Sequence, residues 1–411
     1  MTLRPATPTE PGGPHPPRRP RVVVVAQARP ALGGIPTFAE LIVDDPRIGE
    51  VADVTLLNTT RRAVREAGTL SSENVRNAVQ DTWRVFRSGR GADVVHLHVA
   101  PGRLFPLART LALCAAAKAA GAGVLCHVHS ARINGAGPDG FDPGPLFRLL
   151  LRRLAHVDAV LTVSESGTRT LRRLVPAARV ETVDNAVDVG AFSAAVPDRD
   201  PAVLLFVGTL SVRKGLLDLF EALGRLASPP GSWELVVVGG AAEVGEREAE
   251  QIRQAARDAG LATSLVGQRR GEELRTTFAS ASALVLPSHW EGQPMVILEA
   301  MASGLPVVTT RIGAIPDVVR DDVEGLLLEA RDVPALTAAL DRLVSSPADR
   351  ARWGAAARAR ALEHHDVPVL ARRLAALYHE VARRPAPARR VRGRWARPTA
   401  QLLPAWLVRR P

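Results

Sequence analysis

The chain has little cysteine, few aromatic residues and no long uncharged apolar run, and each shortage excludes a class of protein. Two cysteines in 411 residues cannot form the disulfide framework of a small secreted domain, so a reducing cytosol is expected. Aromatic residues make up only 4% of the chain. The cores must therefore be rich in valine, leucine and alanine, which suits parallel strands covered by helices. The best apolar candidate, 104–120, is interrupted by Arg109 and Lys118, which argues against a membrane span.

Acidic residues are absent from the end of the chain, and this locates the net charge of +11. Residues 381–411 carry nine arginines and no acid, and residues 1–20 carry three arginines against one glutamate. The stretch 21–380 is formally neutral, so no nucleic-acid partner is expected. Residues 1–20 are rich in proline and glycine and have no apolar signal core, which predicts a disordered leader. The basic tail, 385–411, is expected either to be solvated or to make a peripheral contact with anionic lipid.

Short β-branched runs alternate with longer amphipathic segments, and this alternation restarts once. Six runs precede a polar break at 193–201 and six follow it, which predicts the α/β fold class with parallel sheets. We expect two Rossmann-like domains facing each other across a cleft, an N-terminal acceptor domain at 21–195 and a C-terminal donor domain at 196–366. A final helix at 367–384 is expected to pack back on the N-terminal domain.

The densest motif is EGQPMVILEAMASGLPV at 291–307. Glu291 and Glu299 lie on either side of a turn that follows a strand and opens a helix. A carboxylate accepts paired hydrogen bonds from vicinal hydroxyls, and backbone N–H groups at a helix N-terminus bind anions. The segment therefore predicts a polyol and anion site. The backbone expected to bind is that of Gly292, Gln293, Pro294, Met295 and Val296, of which all but the proline carry an N–H group.

This segment closely resembles the family 4 retaining glycosyltransferases, in which the motif reads E-G-x-P-x-x-x-x-E-A-M-A-x-G-x-P-V. Other landmarks of the family follow in order through nearly all of 21–380. The resemblance implies the two-domain GT-B fold, with the donor held by the C-terminal domain. It also implies that Glu299 holds the ribose hydroxyls, while Glu291 and the backbone of 292–296 hold the transferred sugar and its phosphate.

A second landmark is VGTLSVRKG at 207–215, where a strand ends and a helix begins. Lys214 at that helix start is well placed to neutralise a diphosphate leaving group, whose developing charge is the main obstacle to transfer. The family pattern is G-R-L-x-x-x-K-G, and here Thr209 replaces the arginine. Arg213 is expected either to supply the missing cation or to be an exposed basic residue.

Two glycine-containing loops are weaker landmarks. Gly33 and Gly34 follow the first strand and allow the backbone to approach a phosphate or a sugar. The family has a similar loop there, which lies over the donor diphosphate. By the same resemblance, Gly267 would lie beside the nucleotide base.

Two His-x-His pairs, His96/His98 and His127/His129, stand at the ends of two strands. Residues i and i+2 share a face of a strand, so four rings invite a zinc interpretation, but no ligand of a third type is spaced nearby. We therefore expect no metal site. By the resemblance, His129 matches the family histidine near the reacting carbon and His98 matches a cleft residue. His96 and His127 are expected to be structural.

The sequence predicts a retaining hexosyltransferase of polysaccharide biosynthesis. A hexose would move from a UDP- or GDP-sugar to a hydroxyl of a glycan, lipid or small-molecule acceptor, with Glu291, Lys214 and His129 as the catalytic residues. No Asp-x-Asp motif occurs in a donor loop, so no metal cofactor is expected and the nucleotide sugar is the co-substrate. The alternatives are an epimerase or phosphorylase on the same fold, or an inactive nucleotide-sugar-binding protein. The expected location is the cytoplasm, with the inner face of the membrane as an alternative.

Overall fold

The computed structural model describes residues 18–383, except for 32, 62–69, 131–132, 134–142, 196–200, 230 and 242–244. Two six-stranded parallel sheets form the centres of two domains, and helices cover both faces of each sheet. The predicted α/β fold class, with two Rossmann-like domains in the GT-B arrangement, is confirmed. The predicted basic tail, 385–411, lies outside the described residues.

The first sheet has the strand order β2-β1-β3-β4-β5-β6. Its central strands are rich in buried valine and leucine, and β3 is buried at every position, its two histidines included, as expected for a parallel sheet covered on both faces. The edge strand β2 alternates exposed and half-buried residues instead. The strands are β1 (Arg21–Ala26), β2 (Asp53–Asn58), β3 (Val94–Val99), β4 (Gly123–Val128), β5 (Ala159–Thr162) and β6 (Val180–Thr182).

Six helices cover this sheet. Right-handed crossovers place α1 and α2 on one face and the four later helices on the other. Ser71 and Ser164 start two of the later helices, because each side chain accepts a hydrogen bond from a backbone N–H in the first turn. The helices are α1 (Gly34–Asp44), α2 (Pro46–Val51), α3 (Ser72–Gly89), α4 (Leu104–Ala119), α5 (Pro145–Leu151) and α6 (Glu165–Leu174).

The second sheet has the order β12-β11-β10-β7-β8-β9. Its strands are β7 (Ala202–Val207), β8 (Trp233–Val238), β9 (Thr263–Gly267), β10 (Ala283–Leu286), β11 (Val307–Thr310) and β12 (Gly325–Leu328). The helices that follow the first domain are α7 (Leu216–Leu223), α8 (Glu246–Asp258), α9 (Gly271–Ala279), α10 (Met295–Ala302), α11 (Ile315–Val318), α12 (Val333–Ser345), α13 (Pro347–Arg360) and α14 (Val367–Arg383). None of the helices in the described ranges is both long enough and apolar enough to cross a bilayer.

The last helix, α14, returns to the first domain and packs against α2, β3 and β4. Tyr378 is fully buried there, and its hydroxyl lies 2.9 Å from His96 Nδ1. Glu380 accepts two hydrogen bonds from the Arg179 guanidinium, at 2.5 and 2.7 Å. One continuous apolar core runs from the α1–α2 side of the first sheet through α14 into the second domain. The helix therefore ties the two domains together.

The start of the described chain corrects part of the predicted leader. Arg18 forms an ion pair with Asp93 at 3.3 Å, and Arg19 donates a hydrogen bond to the Gly49 carbonyl at 2.6 Å. Disorder was therefore wrongly predicted for residues 18–20, because the side chains of Arg18 and Arg19 find partners in the first domain and the Pro20 carbonyl accepts a hydrogen bond from the Asp53 N–H at 2.9 Å.

Candidate active site

The site is built from loops at the carboxyl ends of the strands of the second sheet, where open α/β sheets bind ligands. Lys214 lies in the loop after β7, and Glu291 lies in the loop after β10. Although 77 positions separate them, the Lys214 ammonium donates a hydrogen bond to Glu291 Oε1. Ser288 Oγ donates to the same oxygen at 3.0 Å, and an Arg213 guanidinium nitrogen lies 3.5 Å from Glu291 Oε2. We call Lys214, Arg213 and Glu291 the charged cluster.

The charged cluster is buried and carries one more positive than negative charge. Glu291 is 7% exposed and Lys214 is 8% exposed. Burial raises the pKa of Glu291, but Lys214 and Arg213 together outweigh it and hold that pKa below its usual value. Arg213 also stacks over the Trp290 ring, at 4.7 Å from its centroid. Arg213 is not the exposed basic residue of the predicted alternative, because its guanidinium faces Glu291 and Trp290.

Two glycines fix the loops that carry the charged cluster. Gly215 has φ +73°, and a side chain there would collide with the Pro287 carbonyl oxygen. Gly313 has φ +56°, and a side chain there would collide with the Glu291 carbonyl oxygen. The backbone of His289 also donates to the Arg213 carbonyl at 2.8 Å. The cluster is therefore held by backbone contacts that leave no room for larger residues.

Two helix N-termini meet beside the cluster. The loop Gly33–Gly34 opens α1, Pro294 opens α10, and neither helix start has a side chain that caps it. The two starts touch, since a Cβ on Gly34 would lie 3.4 Å from the Met295 side chain. N–H groups without a side-chain cap at two helix N-termini form a site suited to an anion. The sequence-predicted Gly33, Gly34 and Met295 are thus brought to one place.

Gln293 has a different environment from the rest of the 291–296 segment. Its side-chain oxygen accepts a hydrogen bond from the Asn185 backbone N–H at 2.8 Å, and its carbonyl accepts one from the Asn185 side chain at 3.1 Å. Its side-chain amide faces Asp184 at 3.4 Å. Gln293 therefore joins the two domains through its side chain. The backbone N–H groups of Gln293 and of the neighbouring Gly292 and Val296 remain candidate contacts for a ligand, whereas Pro294 has no N–H group.

Glu299 lies about one turn into α10 and is half-buried. In the described part of the chain no group hydrogen-bonds its carboxylate, and burial alone raises the pKa of Glu299 to about 7. A buried acid without partners is suited to accept hydroxyl donors from a ligand. Gly267 ends the edge strand β9, where its carbonyl accepts from Gly239 at 2.9 Å. Among the residues predicted to bind the donor, Gly267 therefore lies at the edge of the second sheet.

The four histidines lie together at the carboxyl ends of β3 and β4 in the first domain. His129 follows β4 and is half-buried, and its Nε2 lies 3.0 Å from His98 Nδ1. Phe38 of α1 packs edge-on against both rings. The Nε2 atom of His98 is buried without a hydrogen-bond partner among the described residues. Burial lowers the pKa of both histidines well below its usual value, so both are neutral.

His96 and His127 form a hydrogen-bonded chain through the core. Tyr378 and His127 occupy the two ring nitrogens of His96, and the Val183 carbonyl occupies the remaining nitrogen of His127 at 3.1 Å. One nitrogen each from His96, His98 and His127 lies within 4.8 Å of the others, which is a spacing that metal ligands can have. Both nitrogens of His96 and His127 are already used by protein groups, so a metal would have to displace them.

Comparison with known sequences decides the family. Residues 17–190 match the family described as Glycosyltransferase Family 4, and residues 192–360 match Glycosyl transferases group 1. The chain belongs to the family 4 glycosyltransferases. The predicted family is confirmed.

The relatives of this family 4 glycosyltransferase share its sequence over part of their length. A glycogen synthase from Mycobacterium tuberculosis is 34% identical over 226 residues, which are 54% of this chain and 54% of that protein. The chain thus spans about half the length of the curated relatives it matches.

Solved structures share the fold at lower identity. Sucrose-phosphate synthase from Thermosynechococcus elongatus has a TM-score of 0.72 and 18% identity, and the match covers 88% of this chain and 99% of that one. HepE from Anabaena, solved in complex with UDP-glucose, has a TM-score of 0.69 and 17% identity, with 88% and 100% covered. These similarities show the fold.

Sequence reasoning missed several residues that support the glycosyltransferase site. His289 Nε2 lies 2.8 Å from Asp218 on α7, which fixes the loop that precedes Glu291. Trp290 supports the Arg213 guanidinium, and Asn185 holds Gln293. His289 and Trp290 directly precede the 291–307 motif, and this position was the only sequence signal that they support the site. Their partners could not be predicted because they lie far away in the sequence.

Proposed function

We propose that this glycosyltransferase moves a hexose from a nucleoside diphosphate sugar, with UDP- or GDP-sugars as the donor class, to an acceptor hydroxyl. The observation that carries the proposal is the charged cluster beside two uncapped helix N-termini. Two cations, the buried Lys214 and the half-buried Arg213, share one carboxylate, so the charged cluster has one excess positive charge, and no side chain caps either helix start. A diphosphate supplies the negative charge and the acceptor oxygens that such a site lacks.

The proposed roles follow from this electrostatic balance. Lys214 and Arg213 turn from Glu291 to the diphosphate as the donor binds, and they stabilise the charge that grows on it as the sugar leaves. Glu291 is then free to face the sugar, where a carboxylate accepts hydroxyl hydrogen bonds and offsets positive charge on the ring. Glu299 takes the ribose hydroxyls, because its buried carboxylate has no partner among the residues described.

The proposed transfer retains the configuration at the anomeric carbon. The bond between the sugar C1 and the β-phosphate oxygen breaks, and a bond from C1 to the acceptor oxygen forms on the same face. The acceptor proton passes to the departing phosphate oxygen, so the products are the glycoside and the nucleoside diphosphate. Neutral His129 beside this face offers a hydrogen bond to the sugar.

We further propose that no metal cofactor takes part. The positive charges that a divalent ion would supply to the diphosphate are supplied by Lys214, Arg213 and the helix N-termini. The names of similar proteins support a nucleotide-sugar donor and a carbohydrate product: HepE is solved with UDP-glucose, and one relative is a glycogen synthase. The acceptor is a hydroxyl of a glycan, a lipid or a small molecule.

A thermal-shift screen of nucleotide sugars, with and without a chelator, tests the proposal. A donor that binds only the folded protein raises Tm by mass action. At least one UDP- or GDP-sugar should raise Tm, equally in the presence of the chelator, while free hexoses should not. No shift with any nucleotide sugar would refute the donor class, and a shift that the chelator abolishes would refute metal independence.

A further inference from the structure

Apolar side chains are exposed on one side of the first domain. Twelve large apolar side chains are exposed among the described residues. Six of them lie on the neighbouring helices α3, α4 and α5, and a seventh, Leu70, lies just before α3. The crossover rule puts α3, α4 and α5 on the same face of the sheet, and α4 contacts both of the others. The seven are Leu70, Val75, Val79, Trp83, Leu104, Leu146 and Leu149. We call this surface the α3–α5 face.

The helix α3 carries a continuous apolar stripe on this face. Val75, Val79 and Trp83 are spaced four residues apart, so they follow one another along one side of the helix. Val79 is 65% exposed and Trp83 is 59% exposed. Trp83 stacks on Phe86 at 5.7 Å, and the Arg90 guanidinium lies over Phe86 at 4.6 Å. The stripe therefore ends in an aromatic pair with a cation beside it.

The α3–α5 face is strongly basic. Residues 72–90, 103–119 and 145–156 contain ten lysines and arginines and two acids. One of the acids, Asp81, is 2% exposed and is ion-paired with three arginines, so it presents no free charge to solvent. Six arginines of the face are exposed and form no ion pair within the described chain: Arg76, Arg87, Arg90, Arg103, Arg152 and Arg153.

We propose that the α3–α5 face docks on the surface of a bilayer rich in anionic lipid. Arginines near the surface attract the anionic headgroups, and each basic side chain adds to that attraction. Tryptophan, valine and leucine between the arginines enter the headgroup region, where Trp is enriched in proteins that contact membranes. A soluble protein partner would not require such an excess of one charge, since protein interfaces are depleted in charge at their centres.

Docking by this face would also orient the cleft. The N-terminal ends of α3, α4 and α5 lie at the same edge of the sheet as the carboxyl ends of the strands, which form the cleft. Leu70, Leu104 and Leu146 are at those ends, so headgroups bound there would be next to the acceptor side of the cleft. An acceptor carried by a membrane lipid would fit this geometry, and this consequence rests on the proposed transferase function.

Vesicle flotation of the full chain tests the proposal. The wild type should float with phosphatidylglycerol–phosphatidylcholine vesicles and not with pure phosphatidylcholine vesicles. The double variant Val79→Glu/Trp83→Glu should reduce the bound fraction about tenfold or more, because two apolar contacts are lost and two negative charges are added. The matched control is Leu265→Glu/Leu362→Glu, which places the same charges on exposed apolar positions of the second domain and should bind like the wild type.

Three results would overturn the proposal. The first is a wild type that does not float with anionic vesicles, and the second is a Val79→Glu/Trp83→Glu variant that floats like the wild type. The third is a dimer of the wild type in light scattering, together with a monomer of the variant. The last result would mean that a second copy covers the face. An unchanged Tm and an unchanged response to nucleotide sugars show that the variant is folded. Flotation does not depend on transfer, so a failure of the donor screen leaves this test intact.

Discussion

The Lys214 ammonium donates a hydrogen bond to the buried carboxylate of Glu291 across two loops of the second domain. The pairing leaves Arg213, also in contact with this carboxylate, as the excess charge. Truncating one partner of a buried charge pair costs more than the pair itself contributes, because the other charge is left without a partner. Substituting Lys214, Arg213 or Glu291 is therefore expected to affect ligand binding and transfer differently in each case.

Lys214→Ala should weaken binding of UDP or GDP about 10- to 100-fold, the loss expected for one or two charge-assisted hydrogen bonds to phosphate. Titration calorimetry measures this directly. The control is Arg225→Ala on the same domain, which removes an exposed arginine paired with Glu221 and should bind like the wild type. Equal affinities for Lys214→Ala and the control would remove Lys214 from the diphosphate site.

Arg213 should supply the cation that Thr209 lacks. Arg213→Ala is expected to weaken diphosphate binding, because its guanidinium is held at Glu291 by Trp290. Adding Thr209→Arg to this variant restores the arginine of the usual family pattern and should recover most of the affinity. Calorimetry on the two variants decides the point. If Arg213→Ala binds as tightly as the wild type, a third cation outside the charged cluster must be sought.

Donor affinity should rise with pH through the neutral range. Burial raises the pKa of Glu299 to about 7, and hydroxyl donors of a ligand favour its ionised form, so binding releases a proton. The dissociation constant of UDP-glucose should fall about tenfold between pH 6 and pH 8. UDP-glucose is chosen because its diphosphate does not titrate in this range. Glu299→Gln should abolish the pH dependence, and an unchanged slope in that variant would exclude Glu299 as its source.

The buried histidines should make the protein sensitive to acid. Burial lowers the pKa of His127 to about 3 and those of His96, His98 and His129 well below 6.5. As the pH falls below 6.5 the unfolded state binds protons that the folded state does not, so stability is lost. The free energy of unfolding then falls by up to about 1.4 kcal/mol per pH unit for each of these histidines.

Melting curves between pH 7 and pH 5 check the acid sensitivity. His127→Gln should lower Tm at pH 7, since it disturbs the hydrogen bonds to His96 and Val183, but its Tm should fall less steeply with acid than that of the wild type. His156→Gln, at an exposed position, should leave the slope unchanged. A wild-type Tm that does not change over this range would contradict the interpretation.

The sequence predicted the sheets and the members of the charged cluster because both depend on local patterns. The run at 325–328 is β12, and the helix predicted at 367–384 is α14, which ends at Arg383. Lys214 and Glu291 each follow a strand, and the carboxyl ends of parallel strands meet at one edge of the sheet.

Pairings between distant segments could not be predicted in the same way. Gln293 belongs to the same motif as Glu291, yet its side chain pairs with Asn185, which lies 108 positions earlier in the other half of the chain. Such a contact depends on how the two domains meet, and no local spacing encodes that. The pairing of His289 with Asp218 and the contacts of Arg18 and Arg19 depend on tertiary packing for the same reason.

Release of nucleoside diphosphate from a panel of UDP- and GDP-sugars, by the wild type and Glu291→Gln, tests the central claim most directly. The wild type should release the diphosphate slowly from its donor in the absence of an acceptor. Glu291→Gln preserves the size of the side chain and leaves Lys214 and Arg213 for the phosphates, so its donor-induced rise in Tm should remain while release falls about 100-fold or more. Near-wild-type release by Glu291→Gln, or no release by the wild type from any donor, would contradict the assignment of the charged cluster as the transfer site.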